Sequence, residues 1–194
     1  MTPKKHNSSL QNIDHRTRDN VFIALFAVLM SVCAWISIPT TVPFTMQTFT
    51  VFLALNFLGS KKGTVSICIY LLLGIIGIPV FSNGTAGLGV LLGTNGGYMI
   101  GWIFSGLVMG ILEKLIGRRL WAQAVSMLAG LVVCYVFGTA WFMHVYAKTA
   151  EDVGIWAVLG WSVFPFILPD LVKLGLVLWI SRRLGKLAPV IFNT

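Results

Sequence analysis

The chain has 194 residues, of which 57% are hydrophobic and only 10% are charged, and its mean hydropathy is +0.86. Soluble domains have roughly 45–50% apolar and about 25% charged residues, so this composition excludes an ordinary soluble domain and predicts an integral membrane protein. The net charge of +8 does not indicate nucleic-acid binding, because the basic residues form short clusters between apolar stretches. That distribution is typical of membrane topology, in which Lys and Arg collect in cytoplasmic loops.

A polar tail, residues 1–19, precedes the first apolar segment at 20–38. The tail does not fit a cleaved signal peptide, which has its apolar core close behind a short basic start. A membrane span needs about 20 mostly apolar residues, and segment 20–38 meets that requirement. Residues 39–46 then predict a loop, because Pro39 and Pro43 block a regular helix.

Two shorter apolar segments come next, 47–58 and 64–78, with the polar turn GSKKG between them. A long stretch rich in glycine and poor in charge, the glycine-rich loop, then covers residues 79–97. Irregular backbone at membrane depth persists only where protein or a water-filled cavity covers it. Long loops of this kind are often functional, so we expect the glycine-rich loop to take part in a binding site.

Three longer apolar segments complete the chain, at 98–116, 120–146 and 156–180, the last one broken near Pro165 and Pro169. With six segments both termini lie on one side of the membrane, and all basic residues except Lys148 and Lys173 fall on that side. This asymmetry predicts cytoplasmic termini. The loops expected outside are 39–46, 79–96 and 147–155.

The sequence therefore predicts an all-α, polytopic membrane protein. We expect a bundle of six transmembrane helices with long irregular loops facing outward. This transmembrane domain covers residues 20–186, between the N-terminal tail at 1–19 and a cytoplasmic C-terminal tail at 187–194.

Asp170 and Lys173 are two ionisable residues inside the sixth apolar segment. On a helix, residues three positions apart share one face, and each charge costs about 2.5–3.5 kcal/mol at the centre of a spanning helix. Charged residues at membrane depth usually mark a functional site. We interpret the pair as a binding site; the alternative is a mutually neutralising pair that fixes helix packing.

Several other residues are candidates for the same site. Asn83 in the glycine-rich loop has an amide that both donates and accepts hydrogen bonds, although Asn also makes turns in exposed loops. Gln47 either caps the second helix or lines a pocket, and Tyr98 is an interface aromatic or a ligand contact. Trp35 and Phe44 lie near the outer boundary, where an aromatic belt alone explains such residues.

The motifs of several enzyme classes are missing. The chain has no G-x-x-x-x-G-K-[ST] phosphate loop, and its three histidines, His6, His15 and His144, do not predict a metal cluster. Asp170 is the one carboxylate expected within the membrane, so hydrolysis by paired carboxylates lacks its second member. We therefore predict no enzyme activity, no metal site and no cofactor.

Four stretches of the chain together form a family pattern: VPFTMQTFTVFLA, GTVSICIYLLLGIIGIPVF, GLGVLLGTNGGYMIGW and FPFILPDLVKLGLV. In order and spacing, over about residues 21–183, they resemble the BioY family. Its members are the biotin-specific substrate-binding components (S components) of energy-coupling factor (ECF) transporters. One departure is visible at 93–98, where Gly-Thr-Asn-Gly-Gly-Tyr stands in place of the common Gly-Pro-Thr-Gly-Gly-Tyr.

The resemblance implies a six-helix fold in the lipid of a bacterial cell membrane and capture of biotin in an outward-facing pocket closed by loops. It also implies docking on a transmembrane coupling protein served by two ATP-binding subunits, which fits the missing phosphate loop. The family docks through small residues on the first helix, and Ala24, Ala27 and Ser31 have about that spacing. Ordinary helix packing within the bundle is the alternative reading of these three residues.

The chemistry of biotin selects among the candidate residues. Its ureido ring has a carbonyl and two N–H groups, its thiophane ring and valeryl chain are apolar, and its tail is a carboxylate. We expect Asn83 and Asp170 to bind the ring, with Lys173 close by. Five further residues are expected in the pocket wall: Trp35, Phe44, Gln47, Leu88 and Tyr98. The alternatives are a carrier for another vitamin, such as thiamine or riboflavin, and a small intramembrane enzyme.

Overall fold

The computed structural model describes residues 4–38, 43–147 and 154–184, with side chains described from residue 16 to residue 183 within those ranges. The described chain is all-α apart from one short hairpin, as predicted. Its α-helices are α1 Lys4–Trp35, α2 Gln47–Phe57, α3 Ser60–Ile75, α4 Leu88–Leu92, α5 Gly96–Ile116, α6 Leu120–Tyr146, α7 Ile155–Ser162 and α8 Phe164–Leu184. The predicted C-terminal tail at 187–194 and Lys148 lie outside the described residues.

The predicted number of six spans is not confirmed. Within the described residues, four segments are long and apolar enough to cross a membrane: Arg16–Trp35, Gly96–Ile116, Leu120–Tyr146 and Ile155–Arg183. Helix α2 is apolar but has only 11 residues, and α3 has 16 residues with two lysines in its first turn. The structure thus supports a multi-pass membrane protein with four clear candidate spans.

Helix α1 begins well before the predicted first segment. It starts at Lys4, because residues 4–35 contain no Pro or Gly that would end a helix. The carboxylate of Asp19 lies 2.7 Å from Nζ of Lys62. This ion pair joins the middle of α1 to the first turn of α3.

Helices α5 and α6 form the most extensive helix pair of the described chain, because glycines allow their backbones to approach closely. A Cβ atom added to Gly97 would lie 2.2 Å from Cβ of Trp141, and one added to Gly138 would lie 2.1 Å from Cδ1 of Tyr98. Both distances are shorter than atoms tolerate. The aromatic rings of Tyr98 and Trp141 therefore pack directly onto the backbone of the opposite helix.

The loops between α1 and α2 and between α3 and α5 contain short regular elements. Residues Ser37–Ile38 (β1) and Phe44–Thr45 (β2) pair as an antiparallel hairpin, with Ser37 opposite Thr45. The glycine-rich loop contains a 3-10 turn at Ser82–Gly84 and the short helix α4. It is anchored by Phe81, which is fully buried and packs so closely on Gly74 that a Cβ there would lie 1.9 Å from the ring.

The sixth apolar segment is interrupted, but not at its prolines. The break lies at Val163, which has φ −124° and ψ −57° between α7 and α8. Pro165 falls in the first turn of α8, where a missing N–H costs nothing. Pro169 lies inside the same helix. The break therefore lies two residues before Pro165, close to the predicted position, whereas Pro169 does not interrupt the helix.

Candidate functional site

Asp170 and Lys173 lie one turn apart on α8 and are almost completely buried. Only 2% and 4% of their surfaces are exposed. Nζ of Lys173 donates a hydrogen bond to Oδ1 of Asp170 at 2.9 Å, so the two side chains share one helix face as predicted. Each buried charge requires a partner, because the desolvation penalty of an isolated ion is several kcal/mol.

The ammonium group of Lys173 also joins α8 to the β1–β2 hairpin. It donates a second hydrogen bond to the backbone O of Thr45 at 2.8 Å. The same nitrogen lies 4.4 Å from the centroid of the Phe44 ring, a cation–π distance. Phe44 in turn stacks on Phe166 of α8 with centroids 5.8 Å apart. Lys173 is thus held by its own helix and by the hairpin.

The second carboxylate oxygen of Asp170 has a partner on another helix. Oη of Tyr135, on α6, donates to Oδ2 of Asp170 at 2.7 Å. Tyr135 was not predicted as a site residue. The sequence gives one indication of this role, because Tyr135 places a phenol inside the apolar segment 120–146. A Tyr hydroxyl at such a position usually finds a hydrogen-bond partner.

Gln47 belongs to a hydrogen-bond network that connects the hairpin with the glycine-rich loop. The residue is 5% exposed. Its Oε1 accepts from Oγ1 of Thr45 at 2.9 Å, and its Nε2 donates to Oη of Tyr70. That hydroxyl donates in turn to the backbone O of Val80 at 3.1 Å. The network orients the amide of Gln47.

A cavity lies between the hairpin, the glycine-rich loop and helices α2, α5, α6, α7 and α8. Four predicted site residues line it together: Gln47, Tyr98, Asp170 and Lys173. Residues that sequence reasoning missed also line it, among them Thr45, Asn95, Trp102, Leu131, Tyr135 and Phe166. The wall therefore combines a few oriented polar groups with apolar and aromatic surface, which is the usual make-up of a small-molecule site.

Other predicted residues lie outside the cavity lining. Asn83 is exposed with φ 56°, and its Oδ1 accepts a hydrogen bond from Oγ of Ser37 at 2.7 Å. Trp35 is 60% exposed, and its Nε1 donates to the backbone O of Pro79 at 3.0 Å. Leu88 is 52% exposed at the start of α4. Their contacts with a ligand stay predictions, as does that of Phe44, which reaches the site through Lys173.

The three predicted docking residues on α1 do not share one outward surface. Ala27 is 1% exposed and packs in the hydrophobic core, whereas Ala24 is exposed. Ser31 is half-buried, and its Oγ donates to the backbone O of Ala27 at 3.0 Å. Ala27 thus contributes to packing within the bundle, and the docking role stays a prediction.

Nothing in the described side chains suggests a metal centre. No group of three or more His, Cys, Asp and Glu residues among them is placed to hold a metal ion. The Asp170–Lys173 pair is electrically neutral as a unit, so this part of the cavity suits an uncharged polar group of an organic ligand.

Comparison with known proteins identifies the family. The model of the BioY family matches residues 4–190. The chain belongs to the BioY family. This confirms the resemblance that the four sequence stretches indicated.

Individual BioY proteins match over almost the whole chain. "Biotin transporter BioY" of Thermotoga maritima is 40% identical over 174 residues, which is 88% of this chain and 97% of the relative. "Probable biotin transporter BioY" of Pyrococcus horikoshii is 37% identical over 170 residues, with 87% and 97% covered. The crystal structure of an S-component for biotin from an ECF-type ABC transporter matches with a TM-score of 0.77 at 26% identity, covering 96% of this chain and 95% of that one. These relatives are transport proteins and not enzymes.

Proposed function

We propose that this BioY-family chain is the biotin-binding substrate-specificity component of an ECF-type vitamin uptake transporter. The observation that carries the proposal is the cavity in which α8 presents a buried, hydrogen-bonded Asp170–Lys173 pair. The chain is similar over most of its length to proteins named biotin transporters. These findings favour biotin over thiamine or riboflavin, and a carrier over an intramembrane enzyme.

The free hydrogen-bonding capacity of the site suits the ureido ring of biotin. An ionised carboxylate offers about four lone-pair positions, and Lys173 and Tyr135 use one each on Asp170. The remaining positions can accept an N–H of the ring. A ligand without that N–H would leave a buried acceptor unpaired, which costs roughly 1–3 kcal/mol. Trp102 and Leu131 supply apolar wall for the thiophane ring and the valeryl chain.

We further propose six membrane crossings, with α2 and α3 as the two short ones and α7–α8 as one interrupted crossing. Helix α2 has 11 residues and is about 16 Å long, which is shorter than the roughly 30 Å of the hydrocarbon core. Helices α3 and α5 both run between a basic turn and the loops around the cavity.

The basic turns define the proposed orientation. Lys62 lies in the first turn of α3, Lys114 in the last turn of α5, and Arg182 and Arg183 in the last turn of α8. The cavity lies at the opposite ends of these helices. Because basic residues stay in the cytoplasm, the cavity faces outward and both termini are cytoplasmic.

The proposed partners are an ECF transmembrane coupling protein and two ATP-binding subunits. The sequence contains no phosphate loop, which fits a division of labour in which other subunits bind ATP. Ala24, on the exposed side of α1, is the predicted docking residue that remains accessible to such a partner.

Mass spectrometry of the protein purified in detergent tests the proposal directly. We expect biotin to be carried through purification, and equilibrium titration to show binding of biotin but not of thiamine or riboflavin. Asp170→Asn, titrated at a temperature at which the variant remains folded, should bind biotin at least tenfold more weakly, which corresponds to about 1.4 kcal/mol. Stoichiometric binding of another vitamin, or no binding of biotin to the wild-type protein, would refute the proposal.

A further inference from the structure

Tyr135 is placed where it can control the orientation of the Asp170 carboxylate. The terminal torsion of an aspartate side chain is broad and roughly two-fold, so a single anchor does not fix the plane of the carboxylate. Lys173 holds Oδ1 at 2.9 Å from the same helix, and Tyr135 holds Oδ2 at 2.7 Å from α6. Two donors from different directions define the plane.

The hydroxyl of Tyr135 is also suited to keep Asp170 an acceptor. A phenol has one hydrogen to donate, and here that hydrogen points to the carboxylate. With one donor on each oxygen, the carboxylate still has lone pairs for a donor of the ligand. The hydroxyl adds no charge of its own, so the Asp170–Lys173 pair stays neutral as a unit.

The ring of Tyr135 lines two separate surfaces of the protein. It lines the binding cavity on one side and an apolar groove between α6 and α7 on the other, together with Val136, Ile155 and Leu159. Val136 is 66% exposed and Ile155 49% exposed on that outer side. The aromatic ring thus separates the binding cavity from the surface that meets lipid, while the hydroxyl faces the carboxylate.

We propose that Tyr135 is a positioning residue for ligand selectivity: its hydroxyl fixes Asp170 Oδ2 so that the carboxylate accepts a ureido N–H of biotin. This inference rests on the proposed function. The hydroxyl and the ring have separable roles, since Tyr135→Phe removes the hydrogen bond and keeps the ring between the cavity and the groove.

The test measures biotin affinity and discrimination in detergent-purified protein. Tyr135→Phe is expected to bind biotin about tenfold more weakly than wild type. Because Oδ2 of Asp170 loses its donor, the variant should melt about 2–12 °C lower, so both proteins are titrated at a temperature at which they are folded. Tyr146→Phe, which removes a hydroxyl from the same helix outside the cavity lining, is the matched control and should bind normally. On the Asp170→Asn background, Tyr135→Phe should change affinity less than twofold, because its effect passes through Asp170.

A ligand-side measurement separates positioning from packing. Wild type should discriminate against biotin methylated on a ureido nitrogen, and Tyr135→Phe should lose about tenfold of that discrimination. Tyr135→His keeps a ring with an N–H donor and should retain more affinity than Tyr135→Phe. Equal losses in the Phe and His variants, or wild-type affinity and discrimination in Tyr135→Phe, would overturn the inference. Failure of wild type to bind biotin would instead overturn the proposed function.

Discussion

Replacement of Lys173 by methionine is the most informative single perturbation of this protein. Lys173→Met keeps a long apolar stem of similar shape and removes the ammonium group. Three contacts disappear together: the ion pair with Asp170, the hydrogen bond to the Thr45 carbonyl, and the approach to the Phe44 ring. Asp170 remains behind with 2% of its surface exposed, so its charge loses its counter-ion while still buried.

The expected loss of stability follows from that uncompensated charge. Breaking a buried ion pair by removing one partner costs about 3–5 kcal/mol. For a chain of this size, 1 kcal/mol corresponds to roughly 2–4 °C in melting temperature. Taking the lower energy, we expect Lys173→Met to melt about 6–12 °C below wild type. The double variant Asp170→Asn/Lys173→Met has no buried charge at this site and should recover at least half of that loss.

Thermal unfolding in detergent and equilibrium biotin binding, measured on the same samples, check both parts of the argument. The double variant should regain stability but not affinity, because the ligand contacts remain lost. If Lys173→Met melts within about 2 °C of wild type, loss of the counter-ion costs little stability, and the argument from an uncompensated buried charge is wrong. Recovery of biotin affinity in the double variant would show that the pair acts only on packing.

Three other outcomes follow from the contacts of individual residues. Gly138→Ala places a Cβ 2.1 Å from the Tyr98 ring and should lower the free energy of unfolding by about 1–3 kcal/mol. Gly175→Ala is the control, because its added Cβ has no neighbouring atom within 4 Å, and it should melt like wild type. Gln47→Leu removes hydrogen bonds to the hairpin and to α3 and should weaken biotin binding at least fivefold in titration. Wild-type affinity in this variant would show that biotin binding does not depend on the hydrogen bonds of the Gln47 amide. Asn83→Gly keeps the positive φ accessible and removes the hydrogen bond from Ser37. We expect a tenfold loss of affinity that Ser37→Ala does not reproduce, which would assign ligand contact to the amide, whereas wild-type affinity would remove Asn83 from the site.

Part of the site could be predicted from local spacing alone. Asp170 and Lys173 share a face because residues three apart on any helix do so, and an apolar segment makes their burial expensive wherever the helix lies. Gln47 and Tyr98 were predicted as site residues from their local position, because each lies where a loop rich in Pro or Gly meets an apolar segment.

Other features depend on contacts between residues that are distant in sequence. Tyr135 and Asp170 are 35 positions apart, and only the packing of α6 near α8 brings the hydroxyl to the carboxylate. Asn83 accepts from Ser37 across 46 positions, so its placement outside the cavity lining depends on how two loops meet. Ala27 is a further example. The spacing of small residues predicts which face of α1 Ala27 lies on, but not that neighbouring helices bury it.

The sequence by itself determined that this is a membrane protein of the BioY family, because composition, hydropathy and short motifs are properties of the chain and survive without its fold. The tertiary structure alone decided that Tyr135 is the third member of the Asp170–Lys173 cluster and that the helix break lies at Val163. Hydrogen-bond partners and backbone angles are set by the packing of whole helices, and no local pattern of residues specifies that packing.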